Sequence, residues 1–444
     1  RGAPWDYDGW VRERGCTGWS WADVLPYFKK SEDFDGPENE WHGKGGPLGV
    51  SRLRAVHPVT RDFIRACASL GLREVEDYCS GDVDGVYVNH ATQRNGWRSS
   101  AADAFLKPAM TRPNLRVVTE ALVEKVLFEC NRAVGVRYAQ GGAVHEQRAR
   151  AEVILSTGTM PTPLILMRSG IGPGGQLQEH GIDVLADRAE VGRNLHEHPT
   201  AANSRLIRQA SYNVRNNPLR MAGEGLKYLF GRRGWLTTAA VHAQGNIRTS
   251  PDFAHPDVKI QLLPFWNDVM VKSYFLPDTP IPDATKHFGV TIAVATIKPR
   301  SRGEVRLRGA DPGMPPVIDF RVYEHASDLE AMRRGMQFAN RIFAAEAMAQ
   351  HVTGTAYPPD PDQSDAEWDA QLRACTTIGV HAVGTCRMGG DEASVVDPWL
   401  RVRGVEGLRV TDCSVIPELP SANTNAPVIM VAEKSADMVL EDRR

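Results

Sequence analysis

Ala151-Glu152-Val153-Ile154-Leu155-Ser156-Thr157-Gly158-Thr159-Met160-Pro161-Thr162-Pro163-Leu164-Ile165-Leu166-Met167-Arg168 is the stretch whose pattern decides the fold. Its first six residues read as a buried strand, and Thr157-Gly158-Thr159 as a tight glycine turn. Proline is favoured in the first turn of a helix, so a helix is expected from about Pro161. Strand, glycine turn and helix is the geometry by which a backbone approaches the phosphates or ring of a cofactor. The class is therefore α/β at this point.

On the N-terminal side, Asn114 to Val118 and Leu122 to Glu129 alternate like strands, and Ala133 to Tyr138 pairs with them as a meander around Asn131-Arg132. Leu53 to Gly71 and Ser99 to Met110 read as helices. The first fifty residues hold Trp5, Trp10, Trp19, Trp21 and Trp41 among Gly, Pro and acidic residues. They read as loop-rich, with the tryptophans assigned to local packing rather than to covering a ligand. Because no strand opens the sequence, the chain is expected to begin part-way through a domain.

On the C-terminal side the strand-like runs Val258 to Leu263, Gly289 to Ile297 and Gly303 to Arg308 alternate with Pro-rich loops, and a helix follows at Asp328 to Ala345. That pattern predicts a second layer built on an antiparallel sheet. Gln363 to Ile378 reads as helix, Leu408 to Val410 as strand, Asp412 to Asn425 as loop and Ala426 to Leu440 as helix.

Composition narrows the function. A net charge of -2 over 444 residues removes the electrostatic case for nucleic acid. The longest apolar runs, such as Val290 to Ile297, are strand-sized and far short of a membrane span. Arg1-Gly2-Ala3-Pro4-Trp5-Asp6 has no signal-peptide character. The seven cysteines (Cys16, Cys67, Cys79, Cys130, Cys375, Cys386, Cys413) contain no CxxC pair, so neither a zinc ribbon nor a dithiol motif is expected. Free thiols in a reducing cytoplasm are the expectation.

Several motifs are discounted. Gly170-Ile171-Gly172-Pro173-Gly174-Gly175 matches GxGxxG, but it follows the helical run Pro163 to Arg168 and contains Pro173, so it reads as a helix stop. His196-Glu197-His198 offers two metal ligands with no third at helical or strand spacing, and no metal is expected. No G-x-S-x-G elbow anchors a hydrolase triad. The strongest signal lies in the last hundred residues. His381-Ala382-Val383-Gly384-Thr385-Cys386-Arg387-Met388-Gly389 places an imidazole before a glycine turn. Gly407-Leu408-Arg409-Val410-Thr411-Asp412 is a strand ending in an acid, and Pro420-Ser421-Ala422-Asn423-Thr424-Asn425-Ala426-Pro427 opens a helix. Together they supply a base, an amide donor and a helix N-terminus. From spacing alone, a structural reading with capping asparagines and a buried histidine stands level with a functional one.

These segments resemble the glucose–methanol–choline (GMC) family of flavin-dependent alcohol oxidoreductases. Gly158 through Gly172 is similar to the family's second signature, Val191-Gly192-Arg193-Asn194-Leu195-His196-Glu197-His198 to its VGxNLxDH turn, and Lys298-Pro299-Arg300-Ser301-Arg302-Gly303 to the start of a substrate-domain strand. The resemblance implies an incomplete Rossmann-like FAD-binding domain interleaved with a substrate domain on an antiparallel sheet. The expected organisation is 1–110 flavin-covering loops and helices, 111–200 part of the FAD-binding domain, 201–375 substrate domain, and 376–444 active-site loop with a return to the FAD-binding domain. It further implies oxidation of a small alcohol, with hydride passing from the carbinol carbon to flavin N5 and electrons leaving to O₂ or a quinone-like carrier. His381 corresponds to the catalytic base and Asn423 to its partner. Asp412 corresponds to the acid near the ribityl–pyrophosphate region, with Cys413 beside it and Gly158 opposite. Thr424, Asn425 and Pro427 open the helix beneath the isoalloxazine, and the Val123 backbone meets the adenine.

The sequence departs from the family in two places. The opening βαβ unit with its GxGxxG loop is absent, so the chain expressed alone is expected to purify with little or no FAD. Val380 and Ala382 flank His381 where the family often has an aromatic and a proline. The alternatives carried forward are a hydroxynitrile-lyase-type enzyme on the same scaffold and a non-catalytic fragment. For the substrate, Gly234 to Thr249 is expected to border the pocket and carries His242 and Gln244 but no carboxylate, with Phe265 and Trp266 as apolar surface. This favours a neutral primary alcohol or aldehyde hydrate over choline, whose quaternary ammonium wants an acid or an aromatic cage.

Overall fold

A computed structural model describes residues 1–213, 218–266, 282–284 and 286–442. Val153–Leu155 forms the expected strand, and its parallel partner is Leu408–Val410 near the other end of the chain. Helix Pro161–Arg168 follows the glycine turn as expected and buries Leu164 to Met167. Their core also takes in Trp10, Trp19, Val191, Leu195, Val383, Met388, Val410 and Met430. Residues separated by most of the sequence thus share one apolar interior, which is why the resemblance runs through the whole chain rather than through one segment.

The second layer is a seven-stranded sheet in which Pro199–Ile207, Ala243–Ile247, Val258–Leu263 and Gly289–Thr296 are antiparallel neighbours. It also takes in Gly85–Val88 and Thr377–Ile378, which lie outside 201–375. Period-two alternation divides its residues. Val258, Ile260 and Leu262 share a core with Leu329, Met332, Met336, Ala339 and Ile342 of helix Ala326–Ala344. Helix and sheet meet closely at Gly335, where a Cβ would stand 2.6 Å from Val294 and 2.8 Å from Val258. The alternate positions Lys259 and Gln261 face the other side, in register with Asn246 and Gln244. That side is polar: Gln261 donates to Gln244 at 3.0 Å, and Gln244 donates to the Tyr87 hydroxyl at 2.7 Å.

Several sequence expectations are corrected. The first fifty residues are largely helical, with Pro4–Arg14 and Trp21–Ser31, and they include strands Glu32–Phe34 and Leu48–Arg52. Pro4 sits in the first turn, and Ser20 with Asp23 forms a capping box, so local signals do specify these helices. Trp10 and Trp19 are buried as packing residues, with their indole N–H groups donating to the Glu418 and Pro398 carbonyls. Asn114 to Val118 is an exposed, irregular segment rather than a strand. The third strand of the meander is instead Ala143–Arg148, on the far side of Arg132–Gln140. Gln363 to Ile378 splits into helix Asp365–Cys375 and strand Thr377–Ile378. Gly170 to Gly175 leads from helix Pro161–Arg168 into the short helix Gly174–Glu179, whose first N–H is taken by Asp187 at 2.9 Å. Part of the Pro-rich stretch after Val258–Leu263, residues 267–281, lies outside the described residues. No helix among the described residues is long and apolar enough to cross a membrane.

Gly192, in the VGRNL turn, has φ +85, and a Cβ there would stand 2.2 Å from the Val305 carbonyl oxygen. The left-handed conformation alone costs an L-residue about 1–2 kcal/mol. Gly192→Ala is therefore expected to lower unfolding stability by at least that amount, read as a reduced urea midpoint with unchanged slope.

Candidate active site

His381 and Asn423 are positioned by different devices. Buried Asp6 accepts from the Ser421 backbone N–H at 2.9 Å and its hydroxyl at 2.6 Å, and pairs with Lys298 at 2.6 Å. That ties helix Pro4–Arg14 to the loop two residues before Asn423. His381 is held by Glu197, whose carboxylate accepts from the backbone N–H of His381 at 2.6 Å and of His198 at 2.7 Å. Its neighbour Val380 is 82% exposed at φ 63, a strained conformation for a β-branched residue. Strain of this kind persists where surrounding contacts over-determine the backbone, here the Glu197 carboxylate gripping the next residue.

His381 and Asn423 do not hydrogen-bond each other directly. Buried Lys259 stands between them. Its ammonium lies 3.1 Å from Asn423 Oδ1 and 3.1 Å from His198 Nδ1, and His198 Nδ1 lies 3.2 Å from His381 Nδ1. In its ammonium form Lys259 can only donate, so Asn423 turns its carbonyl oxygen toward it, which leaves the carboxamide N–H groups pointing elsewhere. Burial, and then the Lys259 charge, push the His381 pKa down to about 3. Burial likewise lowers Lys259 to about 7 and raises Glu197 to about 7. At neutral pH, His381 is therefore an uncharged imidazole with a free lone pair to offer.

Lys259 is not among the residues singled out by motif, although a lysine inside the apolar run Val258 to Leu263 is a readable signal. The His196-Glu197-His198 run is discounted as a metal motif on spacing because no third donor lies near in sequence; in the fold it is Glu197 and His198, not His196, that meet a further donor. In the folded chain His381 supplies that third donor, and the three donor atoms lie within 4.8 Å of one another. The Lys259 ammonium at the same place offers a competing charge.

The other site residues fall into two groups. The Asp412 carboxylate accepts from Gly158 N at 2.9 Å, the Thr162 hydroxyl at 2.6 Å and Ser414 N at 2.7 Å. Thr159 donates to the Ala382 carbonyl at 2.7 Å. Gly158, Asp412 and Cys413 are thus brought beside the His381 loop, and burial raises the Cys413 thiol to about 12, keeping it neutral. Thr424 precedes helix Asn425–Glu441 without a side-chain cap bond, and Pro427 in that helix is buried. Val123 lies apart on the meander strand Leu122–Glu129, opposite Tyr138. A cavity of about 400 Å³ reaches Asn423, Asn425 and Ala426 and is walled by Tyr78, Tyr87, Asn89, Val241, Gln244 and Gln261. No carboxylate among the described residues lines it. Trp266 packs with Ala284 and Ala356 as core, and His242 accepts from His57 N, so neither forms the wall.

Family models described as GMC oxidoreductase match residues 1–200 and 299–432. The chain belongs to the GMC oxidoreductase family. Like other GMC oxidoreductases it is an enzyme of mixed helix and sheet. It is 37% identical over 451 residues to the alcohol dehydrogenase [acceptor] of Pseudomonas putida, covering 99% of this chain and 79% of that protein. It is 38% identical over 444 residues to the oxygen-dependent choline dehydrogenase of Rhizobium rhizogenes, covering 99% and 78%. Among solved structures it is similar to the formate oxidase of Aspergillus oryzae (TM-score 0.90, 27% identity, 99% and 81% covered). Pyridoxine 4-oxidase from Mesorbium loti is also similar (0.87, 29%, 99% and 81%).

His196, in the same GMC turn, is expected to make folding stability depend on acidity. Its Nδ1–H donates to the Asn194 carbonyl at 2.6 Å, and Nε2 accepts from Leu419 N at 2.9 Å. The bond from Leu419 requires an unprotonated Nε2 and so the neutral ring, and burial holds its pKa down at about 3. Between that value and 6.5 the unfolded chain binds the extra proton, so this contribution is complete above pH 6.5 and is lost as pH falls toward 3. Each tenfold difference in proton affinity between the folded and unfolded chain corresponds to about 1.4 kcal/mol. The melting temperature is expected to fall below pH 6.5, and more gently in His196→Gln, whose amide can keep both bonds without titrating.

Proposed function

We propose that this GMC enzyme oxidises a small neutral alcohol, with His381 taking the hydroxyl proton and FAD accepting the hydride. The observation that carries the reading is a neutral His381 linked through His198 to the Lys259–Asn423 pair, with Asn423 opening on a cavity that no carboxylate among the described residues lines. Two features suit a flavin. Gly158, at φ +94, has open space where a Cβ would stand. The cavity also reaches the N-terminal end of helix Asn425–Glu441, where backbone N–H groups and the helix dipole favour a partly negative ring edge. In this reading Gly158, Asp412, Cys413, Thr424, Asn425 and Pro427 hold FAD, and the Val123 backbone meets its adenine. Bound FAD would supply the two-electron chemistry and pass electrons to O₂ or a quinone-like carrier.

The chain's own residues do the rest. His381 removes the proton that keeps an alcohol from releasing hydride. Asn423, its oxygen engaged by Lys259, can donate from its N–H to the developing alkoxide. Tyr87, Gln244 and Gln261 present neutral hydrogen-bonding groups along the cavity and nothing to neutralise a cation. On the FAD-loaded protein, kcat/KM for alkyl and aryl alcohols is expected to exceed that for choline. A preference for choline would overturn the substrate assignment.

A further inference from the structure

Away from His381, four side chains from three stretches converge on one point. His42, Asp77, Cys79 and His90 each bring a donor atom, and all four atoms lie within 4.8 Å of one another. His42 is fully buried, with Nε2 3.1 Å from Asp77 Oδ2 and 3.3 Å from Oδ1. Its other nitrogen, Nδ1, lies 2.9 Å from Glu32 Oε2, and Glu32 is fixed by Gly43 N at 3.0 Å and by the Arg1 guanidinium. A neutral His42 that donates Nδ1–H to Glu32 turns an Nε2 lone pair toward the Asp77 carboxylate. Two lone pairs facing each other at this distance repel unless a positive centre, a proton on Nε2 or a metal ion, lies between them. The His90 Nδ1 atom is buried with no hydrogen-bond partner, an open donor beside the same point. The Phe34 ring stacks on His42 at 3.8 Å and lies 5.0 Å from His90, so one side is dry.

We propose that His42, Asp77, Cys79 and His90 form a binding site for a divalent transition cation of the zinc type. The set of two imidazoles, one carboxylate and one thiol is of the kind zinc takes in tetrahedral sites. Donors about 2.0–2.3 Å from a central ion lie about 3.3–3.7 Å apart, so closing the present envelope needs shifts of about 1 Å. Glu32 behind His42 supplies the carboxylate–histidine arrangement that fixes the tautomer of a zinc-bound ring. Two carboxylates against one guanidinium leave a negative charge, and a thiolate adds another. Binding forms a Zn–S bond as the Cys79 S–H breaks, and its proton leaves to solvent. The ion would tie the Asp77–Cys79 turn to His90. Tyr78 and His90 line the cavity that reaches Asn423, so the site would brace one wall of it without touching His381. It does not depend on the proposed reaction.

The test uses the purified protein stripped by a chelator and titrated with Zn²⁺ against a chromophoric competitor. One equivalent is expected to bind, with a zinc-edge absorption spectrum showing one sulfur near about 2.3 Å and nitrogen or oxygen donors near about 2.0–2.2 Å. Glu32→Gln is expected to weaken binding about 10- to 100-fold, and Cys79→Ser with His90→Ala to abolish it while circular dichroism stays unchanged. Failure of the unaltered protein to compete for zinc would overturn the proposal, with His42 then an imidazolium bridging two carboxylates. A spectrum without sulfur, or unchanged affinity in the double variant, would overturn it equally. The wild-type stoichiometry and spectrum decide the matter even if the variants fail to fold.

Discussion

Replacing His381 with alanine is expected to slow alcohol-driven reduction of bound FAD by about 10²- to 10⁴-fold, the range that general-base catalysis supplies. The residue is suited to the task by geometry before acidity. Glu197 grips its backbone, its Nδ1 is turned toward His198, and no described residue hydrogen-bonds its Nε2. Asn423→Ala removes a donor while leaving the base in place, so its effect should be smaller. The two should not add in the double variant, because both act on one oxygen in one transition state. Stopped-flow reduction under anaerobic conditions reads all three variants. A His381→Ala protein that reduces its flavin at the unaltered rate, with unchanged flavin content, would make His381 a packing residue.

Lys259→Met should have the second largest effect, slowing flavin reduction about 10- to 100-fold, since misplacement by about 1 Å can cost 10²-fold. Methionine keeps the length of the apolar stem but loses the ammonium that holds Asn423 Oδ1 and His198 Nδ1. A second readout separates this from simple loss of packing. After burial, the Lys259 charge is the further cause that depresses the His381 pKa. Removing it lets that pKa rise toward 6.5, so more of the imidazole is protonated in mild acid. The acid limb of the rate profile should therefore move to higher pH in Lys259→Met. A variant with a lower melting temperature but an unmoved acid limb would reduce Lys259 to a structural role.

Local pattern and chain-wide pattern are legible to different degrees. Strand, glycine turn and helix from Val153 to Arg168 can be read because strand burial, a left-handed glycine and an N1 proline are local signals. The capping box at Ser20 and Asp23 is equally local but is masked by the aromatic and acidic composition around it. Asn114 to Val118 has the alternation of a strand, yet the meander takes Ala143–Arg148 as its third strand instead. The meeting of His198 with His381 spans 183 residues, and nothing in either segment names the other. Lys259 carries its own signal. A charged residue at the centre of an apolar strand must either break the strand or find partners on the opposite face, and here it finds Asn423 and His198.

The parallel pairing of Val153–Leu155 with Leu408–Val410 also has a consequence for synthesis. Gly158 and Asp412, which meet through a hydrogen bond, are 254 residues apart in sequence. A nascent chain therefore carries one half of this paired region long before the other half leaves the ribosome. Until Leu408–Val410 docks, that edge of the early strand lacks its partner, and such edges invite pairing with other chains. Loop closure over so long a segment adds only slowly growing entropy, but it cannot begin until the last residues are free. Synthesis that stalls before Leu408 would thus leave a protein with its sheet layer available to fold, strand Val153–Leu155 exposed, and Asp412 and Asn423 not yet made.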